Sequence, residues 1–130
     1  MNTGERFAHA IAEKDRNAIL QALSPQLDFK GVTPRKTWEA ATGEDFVDRI
    51  LLGTWFGPND TIRALQRVET DAFADTERVS YRLELERDGG RFLLEQQAYY
   101  RTSEGRISWL RIACSGYRPV SAVGSRSPTA

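Results

Sequence analysis

In the segment RVSYRLELER, residues 78–87, apolar and polar side chains alternate strictly: Val79, Tyr81, Leu83 and Leu85 against Ser80, Arg82, Glu84 and Glu86. Strand side chains point alternately to opposite faces, so this pattern predicts a strand with one buried and one wet side. Asp88-Gly89-Gly90 predicts a hairpin turn, after which FLLEQQAYY (92–100) returns. Ser103-Glu104-Gly105-Arg106 turns the chain again into ISWLRIACSGY (107–117). Residues 61–73 (TIRALQRVETDAF) are also strand-like, with looser alternation.

The first sixty residues follow a different period. Phe7, Ala10, Ile11, Ala18, Ile19, Ala22 and Leu23 recur at helical spacing. Asn2 or Thr3 can cap the first helix, with Glu5 in its first turn, and Asp15 predicts a second cap inside the polar run 13–17. Ser24-Pro25 ends the pair, because the residue before proline disfavours helix. Leu27-Asp28-Phe29 predicts a short strand, followed by a loop through Gly31 and Thr33-Pro34. The TGED run at 42–45 resembles a capping box, and Phe46, Val47, Ile50, Leu51 and Thr54 follow on one helical face. Gly53 and then Gly57-Pro58 mark its exit. Helices followed by a meander of long strands predict an α+β fold, N-terminal helices packed on a curved antiparallel sheet as a cone with an internal cavity.

With 130 residues, 40% hydrophobic and 28% charged, the chain has the size and make-up of one globular domain. We assign that domain to residues 1–118 and expect 119–130, small and polar, to be a disordered tail. Eighteen basic and eighteen acidic residues cancel, so no net field draws the chain to nucleic acid or an anionic membrane. No segment has the roughly 18 apolar residues of a membrane span, and the N-terminus lacks a signal-peptide core, so a cytoplasmic location is expected. Cys114 is the only cysteine and His9 the only histidine, which leaves no Cys- or His-rich metal set; no metal and no cofactor are expected.

The helix pair joined by AEKD, the stretch LDFKGVTP, and GRISWLRI after EQQAYY together resemble the nuclear transport factor 2-like superfamily over roughly residues 5–118. That superfamily includes ketosteroid isomerases, limonene epoxide hydrolases, polyketide cyclases and binding domains. The resemblance implies the same cone but does not carry over the known catalytic sets. Where the isomerases have a tyrosine on the first helix this chain has Phe7, their base falls near Gly31, and their second acid near Gln97. Where the epoxide hydrolases have acids on the last strand this chain has Ile112 and Ser115. Both mechanisms need titratable groups that are missing here.

On this alignment Glu95, Gln97 and Tyr99 face the cavity, while Leu94, Gln96, Ala98 and Tyr100 face away, onto a partner in a homodimer. Leu110, Ile112 and Cys114 join the cavity from the last strand, with Trp109 and Arg111 outside. Phe7, Trp55 and Tyr81 complete an apolar lining, and Arg35 and Trp38 are expected in a loop at its mouth. Glu95 is the candidate general acid or base, with Gln97 and Tyr99 as polarising groups. The competing reading leaves Glu95 in a salt bridge and Gln97 satisfied on a wet face. Cys114 is expected to pack as a small hydrophobe, and His9 to face solvent. The expected function is binding of a small, mostly apolar molecule in the cone. The alternatives are a polyketide-cyclase-like or dehydratase-like enzyme with Glu95 as base, and a ligand-free module that associates with proteins through its outer sheet face.

Overall fold

A computed structural model describes residues 1–120. Two helices open the chain, α1 (Thr3–Ala12) and α2 (Arg16–Ala22). Asn2 caps α1 in a full capping box with Glu5, and the Asp15 carboxylate accepts the Ala18 N–H at the start of α2. The strand β1 (Leu23–Thr33) follows directly and pairs with β2 (Lys36–Thr42) through a tight turn. The expected short strand and loop are thus one long hairpin. Pro25 fits because β1 starts where its neighbours are irregular, the register shifting between Leu23 and Asp28 on one side and between Gln26 and Phe29 on the other.

A third helical segment begins as α3 (Gly43–Asp45), capped by the Thr42 hydroxyl, and continues as a π-helix, Phe46–Trp55. The helix therefore does not exit at Gly53. Its wider winding brings Phe46, Val47, Ile50, Leu51 and Trp55 inward and leaves Thr54 exposed, although α-helical spacing predicts Thr54 on the inner face. Four long strands complete the fold: β3 (Thr61–Phe73), β4 (Thr76–Arg87), β5 (Gly90–Ser103) and β6 (Arg106–Cys114). A short β7 (Arg118–Pro119) pairs with β5. Of the tail expected from residue 119, the part from 121 onward lies outside the described residues.

The strands form one curved, unclosed sheet in the order β2-β1-β6-β5-β4-β3. Its pairs are antiparallel except β1 with β6, which run parallel; β2, the third helical segment and three strands of the meander lie between them in the chain. The helices cover the concave side. Between the layers lie Phe7, Ile11, Ile19, Phe29, Phe46, Ile50, Leu51, Val79, Leu83, Tyr100 and Leu110, each with at most 1% of its surface exposed. The cone is therefore packed with side chains over most of its depth. No helix among the described residues is long and apolar enough to cross a membrane.

Gly53 is what lets the π-helix wind as it does. A Cβ at this position would stand 2.2 Å from the Asp48 carbonyl oxygen, a backbone atom that cannot swing aside. Gly to Ala ordinarily favours a helix interior, but here the overlap should prevail. We expect Gly53→Ala to lower stability by about 2 kcal/mol, read as a fall in the urea midpoint at unchanged slope.

Candidate functional site

The turn between β4 and β5 contains Asp88 and Gly89, both at positive φ, so Arg87 pairs with Gly90. Counting back from that closure sets Leu83 opposite Leu94, Tyr81 opposite Gln96 and Val79 opposite Ala98. The buried face of β5 therefore carries Leu94, Gln96, Ala98 and Tyr100. This corrects the expected orientation: Glu95, Gln97 and Tyr99 lie on the outer face. There Glu95 is exposed and in a salt bridge with Arg82 at 2.6 Å. Gln97 Nε2 donates to the Tyr99 hydroxyl at 2.6 Å, and the Ser80 hydroxyl donates to Gln97 Oε1 at 3.4 Å. With Arg67, Glu69 and Arg78, all of these but Tyr99 border an outer depression of about 480 Å³, which Gln96 and Cys114 also reach.

Facing inward, Gln96 is 1% exposed and takes the position expected for Gln97. Its Oε1 accepts the Tyr81 hydroxyl at 2.6 Å. Across the strand pair it meets Cys114. Burial pushes the Cys114 thiol above its ordinary value, and the Gln96 amide and the Gly116 N–H partly oppose that rise. Gln96 Nε2 nevertheless makes no hydrogen bond of ordinary geometry. Burial also raises the Tyr81 phenol well above 10, with Cys114 adding to the effect.

A cavity of about 410 Å³ opens where β6 ends, at the mouth of the cone. Its lining combines Trp38 of β2, Trp55 at the end of the π-helix, Leu94 of β5, Cys114 of β6, Pro34 in the β1–β2 turn, and Tyr117. Trp38 and Trp55 meet edge to face with centroids 6.0 Å apart. Gly116, at φ +79°, carries the chain past Pro34; a Cβ there would lie 2.8 Å from Pro34 Cγ, so the turn and the strand end close together around the mouth.

The rim is tied by a chain of polar contacts. Lys14 Nζ donates to the carbonyls of Gly57 and Asp60 at 2.7 and 2.8 Å. The buried Asp60 carboxylate accepts from the Gly57 N–H and from Arg87 Nε at 3.0 and 3.1 Å. The Arg87 guanidinium lies over the Tyr117 ring, 4.0 Å from its centroid, and the Tyr117 hydroxyl donates to the Trp55 carbonyl. Burial drives the Tyr117 phenol up to about 12, against an opposing pull from Arg87.

Of the residues expected to touch a ligand, Trp38, Trp55 and Cys114 line this cavity. Phe7, Leu110 and Ile112 are packed into the interior below it, and Tyr81 is buried beside Gln96. Arg35 sits exposed at the apex of the β1–β2 turn with φ +70°, and Trp38 lies on a strand, not in a loop. Leu94, Pro34 and Tyr117 also form the wall, with Arg87 and Arg118, and none of the five is expected there from the sequence. Leu94 was within reach of the two-residue turn count; nothing local to Tyr117 marks it.

No protein-family model matches the sequence, and no curated protein is significantly similar to it. Solved structures are similar in shape. A candidate isomerase from Bacillus subtilis superposes with a TM-score of 0.72 at 14% identity, over 87% of this chain and 84% of the other. An LEH-like epoxide hydrolase from Mycobacterium tuberculosis gives 0.64 at 16% identity, over 87% and 80%. A nuclear transport factor 2-like protein from Burkholderia thailandensis gives 0.63 at 15% identity, over 88% and 92%. The fold is the nuclear transport factor 2-like fold. At such identities the shared property is the cone, and the chemistry of this chain has to come from its own residues.

Two outcomes follow from the buried polar groups. Tyr81→Phe strands Gln96 with both ends of its amide unpaired and should cost about 1–3 kcal/mol, whereas adding Gln96→Met, which removes the other partner, should recover most of that loss in denaturant titrations. The phenols of Tyr100 and Tyr117 both titrate at about 12 when folded, against 10 for the free group. Between those values the unfolded chain binds fewer protons than the folded one. Stability should therefore be fully retained below about pH 10 and fall as pH rises toward about 12, which urea midpoints across that window will register.

Proposed function

We infer that the protein binds a small, mostly apolar molecule in the cavity at the mouth of the cone. The observation that carries this reading is the cavity wall, where Trp38, Trp55, Leu94, Pro34 and Tyr117 present rings and aliphatic surface around about 410 Å³, a volume typical of small-ligand sites. None of the cavity-lining residues is acidic. That weakens the reading of a cyclase-like or dehydratase-like enzyme with Glu95 as base, since Glu95 is exposed on the far face and paired with Arg82. Cyclases, isomerases and epoxide hydrolases among proteins of similar shape support use of the cone as a small-molecule site in general terms.

We further take the protein to be a homodimer associating through the outer sheet face, in the cytoplasm. That face offers Trp109, with the Arg101 and Arg111 guanidinium carbons 4.1 and 4.5 Å from its ring centroid, and Phe73, 56% exposed and edge-on to Tyr99. The free thiol of Cys114, half-buried and without a disulfide partner, suits a reducing compartment.

Native mass spectrometry of freshly purified protein tests both parts. Expected is an assembly of two chains carrying a reproducible extra mass of small-molecule size. Bare protein that also gains no mass from a panel of apolar compounds sinks the binding reading, and a single-chain mass at micromolar concentration sinks the dimer.

A further inference from the structure

We propose that the occupant of the mouth cavity carries an uncharged hydrogen-bond acceptor, such as a ketone, ester or lactone carbonyl, which the indole N–H of Trp55 receives. This rests on the binding reading above and specifies the class of ligand.

Among the described residues, the buried side-chain polar atoms left without a partner are Trp55 Nε1 and Gln96 Nε2. Both are donors. A buried donor without an acceptor is uncommon in folded proteins and calls for a specific explanation, one being a bound group that the protein alone does not supply. Trp55 is 4% exposed and lines the cavity. Cys114, the cross-strand partner of Gln96, lines it too.

Several other polar groups on the wall are already engaged. Trp38 Nε1 donates to the Thr33 hydroxyl at 2.9 Å, the Thr54 hydroxyl donates to the Arg49 carbonyl at 2.8 Å, and the Tyr117 hydroxyl donates to the Trp55 carbonyl. The charge state of the ligand follows from the same inventory. Arg87 is committed to Asp60 and to the Tyr117 ring, and Arg118, the other cation on the wall, is exposed to solvent. The buried donor left over on this wall is a neutral indole, and a carboxylate brought down to it would lose its hydration without gaining a buried counter-charge. A neutral carbonyl loses far less and pairs with what is there.

Trp55 Nε1 is itself buried, so an acceptor reaches it only when a neighbouring side chain gives way. Trp38 has the most room to do so: it packs edge-on against Trp55, is half-buried, and stands on the edge strand β2.

The test uses three ligands of one carbon skeleton: menthone, p-menthane and menthanecarboxylate. Binding to the full chain is followed by calorimetry and by the indole N–H resonances of isotope-labelled tryptophan, with the Trp55 signal assigned by its loss in Trp55→Phe. Expected is menthone binding about tenfold more tightly than p-menthane, the worth of one added hydrogen bond, together with a downfield shift of the Trp55 N–H in the menthone complex alone. Trp55→Phe should erase that preference, so that menthone and p-menthane bind the variant equally, whatever the change does to the affinity they share. Should the variant fail to fold, the wild-type indole shift decides alone. Equal binding of menthone and p-menthane with an unmoved Trp55 signal overturns this inference while leaving the binding reading standing. Menthanecarboxylate binding as tightly as menthone overturns the uncharged acceptor. If neither menthone nor p-menthane binds, the binding reading falls and takes this inference with it.

Discussion

Trp55 stands edge-on to three other rings at once, those of Phe29 on β1, Phe46 at the head of its own helix, and Trp38 on β2, with centroids 6.0 to 6.2 Å apart. Aromatic pairs in this geometry gain from edge-to-face electrostatics in addition to the area they bury. The contact joins the helical layer to the β1–β2 end of the sheet and so fixes how far the cone opens. Below it the interior is filled by Phe7, Phe46, Tyr100 and their neighbours. Above it space remains, because Pro34, Trp38 and Tyr117 stand around the opening without meeting across it. A cavity of this kind follows from rigid rings that cannot close the last gap between two curved surfaces.

The rim contacts act at the same level. Lys14, Asp60, Arg87 and Tyr117 are far apart in sequence, yet they form a polar belt from the α1–α2 turn to the end of β6. Asp60 is the buried member. Its carboxylate takes a backbone N–H and a guanidinium together, the kind of arrangement in which a buried charge is tolerable. The belt holds Tyr117 in place, and Tyr117 in turn holds the Trp55 carbonyl, so the position of the indole is set from outside the cavity as well as from within.

Most of the architecture was legible in the chain: the two capped N-terminal helices, the third capped segment, the strict alternation of β4 and the turns at 88–90 and 103–106 all appear where their residues predict. The lower part of the cone was legible as one apolar stripe per element. The face of β5 differs from the one the resemblance implies, although the deciding signal is present in the chain. A two-residue turn at Asp88-Gly89 pairs residue 81 with 96 and 83 with 94, and the inward side of β4 is unambiguous. Likeness to the nuclear transport factor 2-like pattern points to Gln97 instead, and a slip of one residue exchanges the two faces of a strand. The strand character of 36–42 was hidden for another reason. Its residues are mostly exposed, so the edge strand carries no apolar alternation to read. Tyr117 and Arg87 came together only through tertiary contacts, which no local pattern records.

The π-helix has a consequence for how such a pocket changes over generations. A π turn is an α turn that has accepted one additional residue, and nothing downstream need shift when it does. The length of this segment can therefore vary by a residue while both of its ends stay where they are. A lineage losing a single residue between Phe46 and Gly53 would tighten one turn of the helix and leave Trp55 against Phe29, Phe46 and Trp38. The cavity wall is in this way buffered against a one-codon deletion, because the surplus residue comes out of the winding and not out of the ring contacts.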